Sequence, residues 1–125
     1  MARRILVVED DEKSRRLLTD VLRYHGFDVC AYPTGEEGLA DARGCSPDAA
    51  LLDIELPGIS GFDVLARLRA ESAGAPIPVI AVTASVMDQD RRKILAAGFD
   101  AYVPKPVNIR ELVTILNELL SKNEP

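Results

Sequence analysis

The sequence predicts an α/β fold, a doubly wound parallel sheet of five strands with five helices on its two faces. Five short apolar segments alternate with five longer segments of helical periodicity along the 125 residues. Glycines punctuate the ends of the first four helical segments, at Gly26, Gly44, Gly74 and Gly98. Strict alternation of this kind is typical of a parallel sheet, because right-handed crossovers place the connecting helices over both faces.

The composition indicates one globular domain over residues 1–125. With 47% hydrophobic and 28% charged residues, the chain is long enough for one hydrophobic core and too short for two. No apolar run approaches the roughly 18 residues of a membrane span, so we expect a cytoplasmic protein without membrane contact. The formal net charge of −5 lacks the basic excess of a nucleic-acid-binding surface, so nucleic acid is not an expected partner.

The first two strand–helix units occupy the N-terminal third of the chain. Residues 5–8 are a β-branched strand, and the acidic run 9–12 leads into an amphipathic helix. Residues 27–32 alternate between apolar and polar side chains, which suits a strand at the edge of the sheet. Thr34 and Glu37 have capping-box spacing, so we expect them to begin the second helix.

The third strand leads into an isolated carboxylate. Residues 49–52 form a continuous apolar run, as expected for a strand buried on both faces, and Asp53 follows directly. Taken alone, an aspartate before a loop most often only starts a turn. In an open α/β sheet, however, ligands bind outside the carboxyl ends of the strands, where Asp53 stands. Ser60 and Asp63 then resemble a cap for the third helix.

Two further units complete the chain. Residues 77–82 are the fourth strand and residues 101–103 a short fifth strand. Pro104 lacks a backbone N–H, which favours an edge position for the fifth strand. Asn108, with Glu111 three residues later, is the predicted cap of the last helix.

Polar side chains follow four of the five strands: Glu9, Asp10 and Asp11 the first, Asp53 the third, Thr83 the fourth and Lys105 the fifth. We expect them to converge, since the carboxyl ends of parallel strands meet at one edge of the sheet. Clustered carboxylates repel one another unless a cation neutralises them, and oxygen ligands in this number favour Mg²⁺, with Mn²⁺ as an alternative. Together with a hydroxyl and an ammonium group, such a site suits placing a phosphoryl group on Asp53.

The two cysteines, Cys30 and Cys45, form no CxxC or metal-ligand spacing. We expect them to be separate, unpaired small hydrophobic side chains in a reducing compartment.

The chain resembles the response-regulator receiver domains of two-component signalling, of the chemotaxis-regulator type. Residues 7–11, 52–58 with Gly61, 82–84 and 102–106 carry this resemblance, which extends from about residue 4 to residue 120. It implies a flavodoxin-like sheet with strand order 2-1-3-4-5. Because the chain ends after the fifth helix, it also leads us to expect a free-standing single receiver domain without an output domain.

The resemblance assigns a role to each residue of the predicted site. Asp53 resembles the phosphoacceptor. Asp10 resembles the direct metal ligand, and Glu9 resembles the acid that acts through metal-bound water. The main-chain carbonyl of Glu55 corresponds to the third protein ligand, and Asp53 itself completes the set. Asp11 lies outside this acid pair, and we expect it only to favour the start of the first helix.

The resemblance also implies a switch. Thr83 resembles the hydroxyl that moves toward the phosphoryl group, and Tyr102 the aromatic residue that swings inward behind it. Lys105 resembles the lysine that contacts a phosphoryl oxygen, with a cis Lys105–Pro106 peptide. The side chains of Glu55 and Ser85, two residues beyond Asp53 and Thr83, are expected to tune the lifetime of the phosphoryl group.

The implied function is a signalling switch rather than an enzyme acting on an external substrate, although it phosphorylates and dephosphorylates itself. The expected partners are a histidine kinase or histidine phosphotransfer protein and a downstream protein target. The target is expected to bind the face formed by the fourth helix, fifth strand and fifth helix, where Arg91, Arg92, Lys93 and Arg110 supply charge.

Three alternatives stay open. The chain could be a receiver module excised from a hybrid kinase. An aspartyl-phosphate hydrolase also uses a strand-end aspartate with Mg²⁺, but it needs a second aspartate where this chain has Glu55. A nucleotide- or flavin-binding module of the same topology needs a glycine- or hydroxyl-rich first loop. The acidic run 9–12 would repel phosphate there instead.

Overall fold

Strands and helices alternate from one end of the chain to the other in the computed structural model, which describes residues 2–71, 77–84 and 87–122. The elements are β1 Arg4–Val8, α1 Glu12–Tyr24, β2 Asp28–Tyr32, α2 Gly35–Cys45, β3 Ala49–Asp53, α3 Gly61–Glu71, β4 Val79–Thr83, α4 Asp88–Ala97, β5 Ala101–Pro104 and α5 Ile109–Lys122. The strands are parallel and lie in the order β2-β1-β3-β4-β5. The predicted fold class and strand order are confirmed.

Alternate residues of the central strands face two separate helical layers. In β3, Ala49 and Leu51 join a core cluster with residues of α1 and α5, whereas Ala50 and Leu52 join one with residues of α3 and α4. All five residues of β3 are buried, which explains its unbroken apolar sequence. Burying a leucine side chain contributes about 1.5–3 kcal/mol, so the strand that ends at Asp53 is firmly held.

The helix starts follow the predicted caps. At the three predicted caps, a backbone N–H donates to the side chain three residues earlier: Glu37 to Thr34, Asp63 to Ser60, and Glu111 to Asn108. Asp11 caps α1 in the same way, since it accepts from the Ser14 N–H. The predicted end of the second helix is wrong by one residue, since α2 continues to Cys45 and Ser46 takes the left-handed conformation, with φ 48°. Gly74 lies outside the described residues. None of the described helices is long and apolar enough to cross a membrane.

The two edges of the sheet are also as predicted. Among the described strands, β2 pairs only with β1, and β5, which contains Pro104, pairs only with β4. The peptide bond between Lys105 and Pro106 is cis, as the resemblance implied.

The prediction of two separate, unpaired cysteines is wrong. Cys30 in β2 and Cys45 at the end of α2 are joined by a disulfide, with 6.3 Å between their Cα atoms. They are 15 positions apart along the chain, and no local motif links them. Their proximity arises because α2 folds back over the strand that precedes it, and this tertiary packing has no signature in cysteine spacing.

Candidate functional site

The strand registers bring the predicted polar residues to one edge of the sheet. Val8 of β1 pairs with Leu52 of β3 at the carboxyl ends of these strands. Glu9 and Asp53 follow these two residues directly, so their carboxylates are neighbours. Asp53 lies opposite the residue before Thr83, and Thr83 lies opposite the residue before Lys105. Residues far apart in sequence therefore meet because four strands end at the same level.

Two buried carboxylates share one ammonium group at this edge. The Nζ of Lys105 lies 2.7 Å from Oδ2 of Asp53 and 3.1 Å from Oε1 of Glu9. Glu9 and Asp53 are only 2% and 3% exposed. The backbone N–H of Lys105 donates to the carbonyl of Thr83 at 2.8 Å, which fixes the start of the lysine side chain. Such deeply buried carboxylates require a partner of this kind, because an uncompensated buried charge is costly.

The surroundings give the charged groups different pKa values. Burial, together with contact with Asp53, raises the pKa of Glu9 to about 8 against the opposing effect of Lys105. Burial also tends to raise the pKa of Asp53, but hydrogen bonding with Glu9, Lys105 and the Glu55 N–H lowers it overall. For Lys105, burial opposes the charged form, yet its hydrogen bonds to Asp53 and Glu9 raise the pKa. At neutral pH Asp53 is therefore the anionic carboxylate, and Lys105 is its cationic partner.

Three carboxylates lie close enough to hold a metal ion. Ligand oxygens of Glu9, Asp10 and Asp53 are all within 4.8 Å of one another. Asp10 is exposed and opens the cluster to solvent, whereas Oε2 of Glu9 is buried and has no hydrogen-bond partner in the described part of the chain. A buried oxygen without a partner beside two further carboxylates fits a hard divalent cation with oxygen ligands. The role of the Glu55 main-chain carbonyl stays a prediction.

Glu55 makes two contacts that the sequence did not indicate. Its backbone N–H donates to Oδ1 of Asp53 at 2.9 Å, and its side-chain Oε1 accepts from the N–H of Ala84 at 3.3 Å. It thereby connects the segment after β3 with the segment after β4. Glu55 and Thr83 both line a cavity of about 270 Å³, and Thr83 itself is only 2% exposed. Ser85, the other predicted lifetime residue, lies outside the described residues.

Tyr102 lies beside α4, half-buried at the margin of the core that this helix covers. The guanidinium carbon of Arg91, in α4, is 5.5 Å from the centre of the Tyr102 ring. The Nε of Arg91 is buried and lacks a hydrogen-bond partner among the described residues. We predicted Arg91 only as a surface charge, because its distance to Tyr102 depends on how α4 packs against β5.

The chain matches known proteins over nearly its whole length. Residues 5–117 match the response regulator receiver domain family. The chain is 41% identical over 124 residues to the DNA-binding response regulator MtrA of Mycolicibacterium smegmatis, covering 99% of this chain and 53% of that protein. It is 34% identical over 120 residues to the polar-differentiation response regulator DivK of Brucella ovis, covering 96% of this chain and 98% of that protein.

A solved structure shows the same fold. The CheY-like response regulator receiver domain protein of Methanospirillum hungatei superposes with a TM-score of 0.88 at 33% identity, covering 98% of this chain and 96% of the other. The chain spans about half the length of MtrA and the other curated relatives it matches first. The expectation of a single receiver domain without an output domain therefore stays a prediction. The chain belongs to the response regulator receiver domain family, the phosphorylation-activated switches of two-component signalling.

Proposed function

We propose that Asp53 accepts a phosphoryl group from the phosphohistidine of a histidine kinase or histidine phosphotransfer protein. The observation that carries this proposal is the pairing of the buried Asp53 carboxylate, which is 3% exposed, with the Lys105 ammonium at 2.7 Å. A carboxylate with a lowered pKa is available as a nucleophile at neutral pH, and an adjacent ammonium group can stabilise the charge of an incoming phosphoryl group.

In the transfer, a carboxylate oxygen of Asp53 attacks phosphorus while the bond from phosphorus to the imidazole nitrogen breaks. The electron pair of that bond stays with the imidazole. The Glu55 N–H holds Oδ1 of Asp53 and orients the carboxylate. The Lys105 ammonium exchanges its contact with Asp53 for one with a phosphoryl oxygen. Its positive charge thereby stabilises the negative charge on the phosphoryl oxygens during the transfer.

Glu9, Asp10, Asp53 and the Glu55 carbonyl are the residues that would hold Mg²⁺, or alternatively Mn²⁺. The unpartnered Glu9 oxygen and the close carboxylate oxygens support this set. When bound, the cation neutralises the carboxylates and the phosphoryl oxygens that they would otherwise repel. The same residues carry self-phosphorylation from small donors and self-dephosphorylation.

The response passes through Thr83 and Tyr102 to a surface that we call the output face, formed by α4, β5 and α5. The Thr83 hydroxyl donates to the phosphoryl group, and the Tyr102 ring moves inward behind it. This movement changes the apolar surface that the ring covers, and with it the fit of a downstream protein. We expect Arg91, Arg92 and Arg110 to supply charge to that surface, whereas the Nζ of Lys93 lies 5.2 Å from the centre of the Phe62 ring of α3.

We further propose that residues 1–125 act as one receiver domain in the cytoplasm and signal through protein contact. The formal net charge of −5 supports a protein target over nucleic acid. DNA binding is named for MtrA, whose length the chain only half covers.

The test is phosphorylation by acetyl phosphate, followed by intact-mass analysis. We expect one added phosphoryl group with Mg²⁺, and none after EDTA treatment or in the Asp53→Asn variant. Asp20→Asn is the matched control, since it removes an exposed carboxylate on α1 and should label normally. If Asp53→Asn is still phosphorylated, Asp53 is not the phosphoacceptor. If EDTA does not reduce the phosphorylation of the wild type, the reaction does not depend on a divalent cation.

A further inference from the structure

We propose that Cys30 and Cys45 form a reversible thiol–disulfide site, which low-molecular-weight disulfides close and low-molecular-weight thiols open. The proposal rests on the geometry of β2 and α2 and is independent of the phosphorylation chemistry at Asp53. It assigns the domain a second covalent input, in which the oxidation state decides how firmly the β2 edge of the sheet is held.

The backbone holds both cysteines at bonding distance. Cys30 lies within β2, paired in register with Leu6 of β1, and Cys45 ends α2 and is only 5% exposed. The Cys45 carbonyl accepts a hydrogen bond from Nη1 of Arg4 at 2.7 Å, which anchors this end of the helix to β1. The Cα–Cα distance of 6.3 Å lies within the normal range for disulfides. An intramolecular bond is therefore favoured over a lasting mixed disulfide.

The exchange has two steps. One cysteine, deprotonated, attacks a sulfur of the small disulfide and forms a mixed disulfide, and one small thiolate leaves. The second cysteine, also deprotonated, then attacks the protein sulfur of the mixed disulfide and releases the second small thiolate. The two protein thiols lose two protons and two electrons, which convert the small disulfide into two thiols. Cys30 is the more exposed residue, so we expect the small molecule to react there first.

The bond acts on one edge of the sheet. β2 is an edge strand that pairs with β1, and the disulfide adds a covalent link from β2 to α2. At its other end α2 borders the segment after Asp53, where a Cβ on Gly58 would lie 2.7 Å from Oε2 of Glu36. Opening the bond therefore removes the covalent link at the far end of a helix that borders the phosphoacceptor loop, and leaves the hydrogen bond from Arg4 to hold that end.

The site can be tested by equilibrating the wild-type protein in glutathione buffers of varied ratio, alkylating it, and measuring its intact mass and melting temperature. Under oxidising conditions we expect no alkylated cysteines and a monomer lighter by two hydrogens. Under reducing conditions we expect two alkylated cysteines. Closing a loop between residues 15 apart should raise the melting temperature by roughly 10 °C over the reduced form.

The variants Cys30→Ser and Cys45→Ser are the controls. Each should melt near the reduced wild type, and its melting temperature should not rise in oxidised glutathione. Four results would overturn the proposal: two thiols that stay free in oxidised glutathione, a lasting glutathione adduct, a disulfide-linked dimer, or a bond that excess reduced glutathione never opens. Equal melting temperatures of the oxidised and reduced wild type would overturn the stabilising role. All these results are read on the wild-type protein, so a variant that fails to fold does not affect them.

Discussion

At the scale of single residues, Thr83 and Asp53 end neighbouring strands but have separable tasks. We propose that Asp53 and the carboxylate cluster carry the transfer, and we expect Thr83 only to sense its product. Thr83→Ala should therefore leave Asp53 labelling intact while the conformational response around Tyr102 shrinks. Backbone NMR shifts with and without beryllofluoride would measure the response, and Thr83→Ser, which keeps the hydroxyl, should restore it. If Thr83→Ala still shows the full set of NMR shifts around Tyr102 on beryllofluoride binding, Thr83 does not transmit the response.

Arg91 should hold Tyr102 in the position seen here. A cation near an aromatic face contributes about 0.5–1 kcal/mol at a partly exposed site. Arg91→Ala should therefore shift the Tyr102 equilibrium toward the inward position by roughly two- to fivefold. Since we propose that phosphorylation favours the same position, the variant should bind beryllofluoride more tightly by up to the same factor.

Beryllofluoride titrations followed by the NMR signals of the Tyr102 ring would measure this effect. Arg92→Ala is the matched control, because Arg92 is the exposed neighbour on α4 and should leave the affinity unchanged. If the ring signals of the wild type do not respond to beryllofluoride, Tyr102 is not a switch. If they respond but Arg91→Ala binds with wild-type affinity, only the restraint by Arg91 is excluded.

At the scale of elements, the connection from β3 to α3 depends on Gly61. A Cβ at this position would lie 2.5 Å from the Asp53 carbonyl oxygen and 2.9 Å from Cα of Ile54. Both are backbone atoms, so no side chain can move aside. Gly61→Ala should lower the free energy of unfolding by about 2–3 kcal/mol and slow Asp53 labelling, because the strand end must shift.

Urea denaturation and acetyl phosphate labelling would test this dependence. Gly44→Ala is the control, since a Cβ there would meet nothing within 4 Å. In a helix the change to alanine is expected to be neutral or to stabilise by up to about 1 kcal/mol. Equal stability of the two variants would mean that the β3–α3 connection can relax around a side chain.

The elements also show where sequence reasoning succeeds. Caps such as Thr34 and Asn108 were predictable because their hydrogen bonds reach only three residues along the chain. The carboxylate cluster was predictable because parallel strands all end at one edge of the sheet. The Cys30–Cys45 bond and the Arg91–Tyr102 contact were not, since each depends on how a helix packs on a strand. No local spacing encodes that packing.

At the scale of the whole molecule, the site and the output face are linked through one short strand. Lys105 follows β5 directly and contacts Asp53, while Tyr102 lies within β5 and faces α4. The backbone bond from Lys105 to Thr83 connects the ends of β4 and β5. A charge added at Asp53 is therefore expected to act on the strand that carries Tyr102, the proposed switch residue.

This arrangement predicts that phosphorylation and target binding strengthen each other. Each shifts the equilibrium only through its preference for one state, so the two effects must be reciprocal. The downstream target, captured on beryllofluoride-bound protein, should bind severalfold more weakly when beryllofluoride is absent. Arg92→Glu or Arg110→Glu should weaken the tighter complex without changing Asp53 labelling, because both side chains are exposed on the output face. Equal affinities in the two states, or a footprint confined to α2 and α3, would show that the target binds elsewhere.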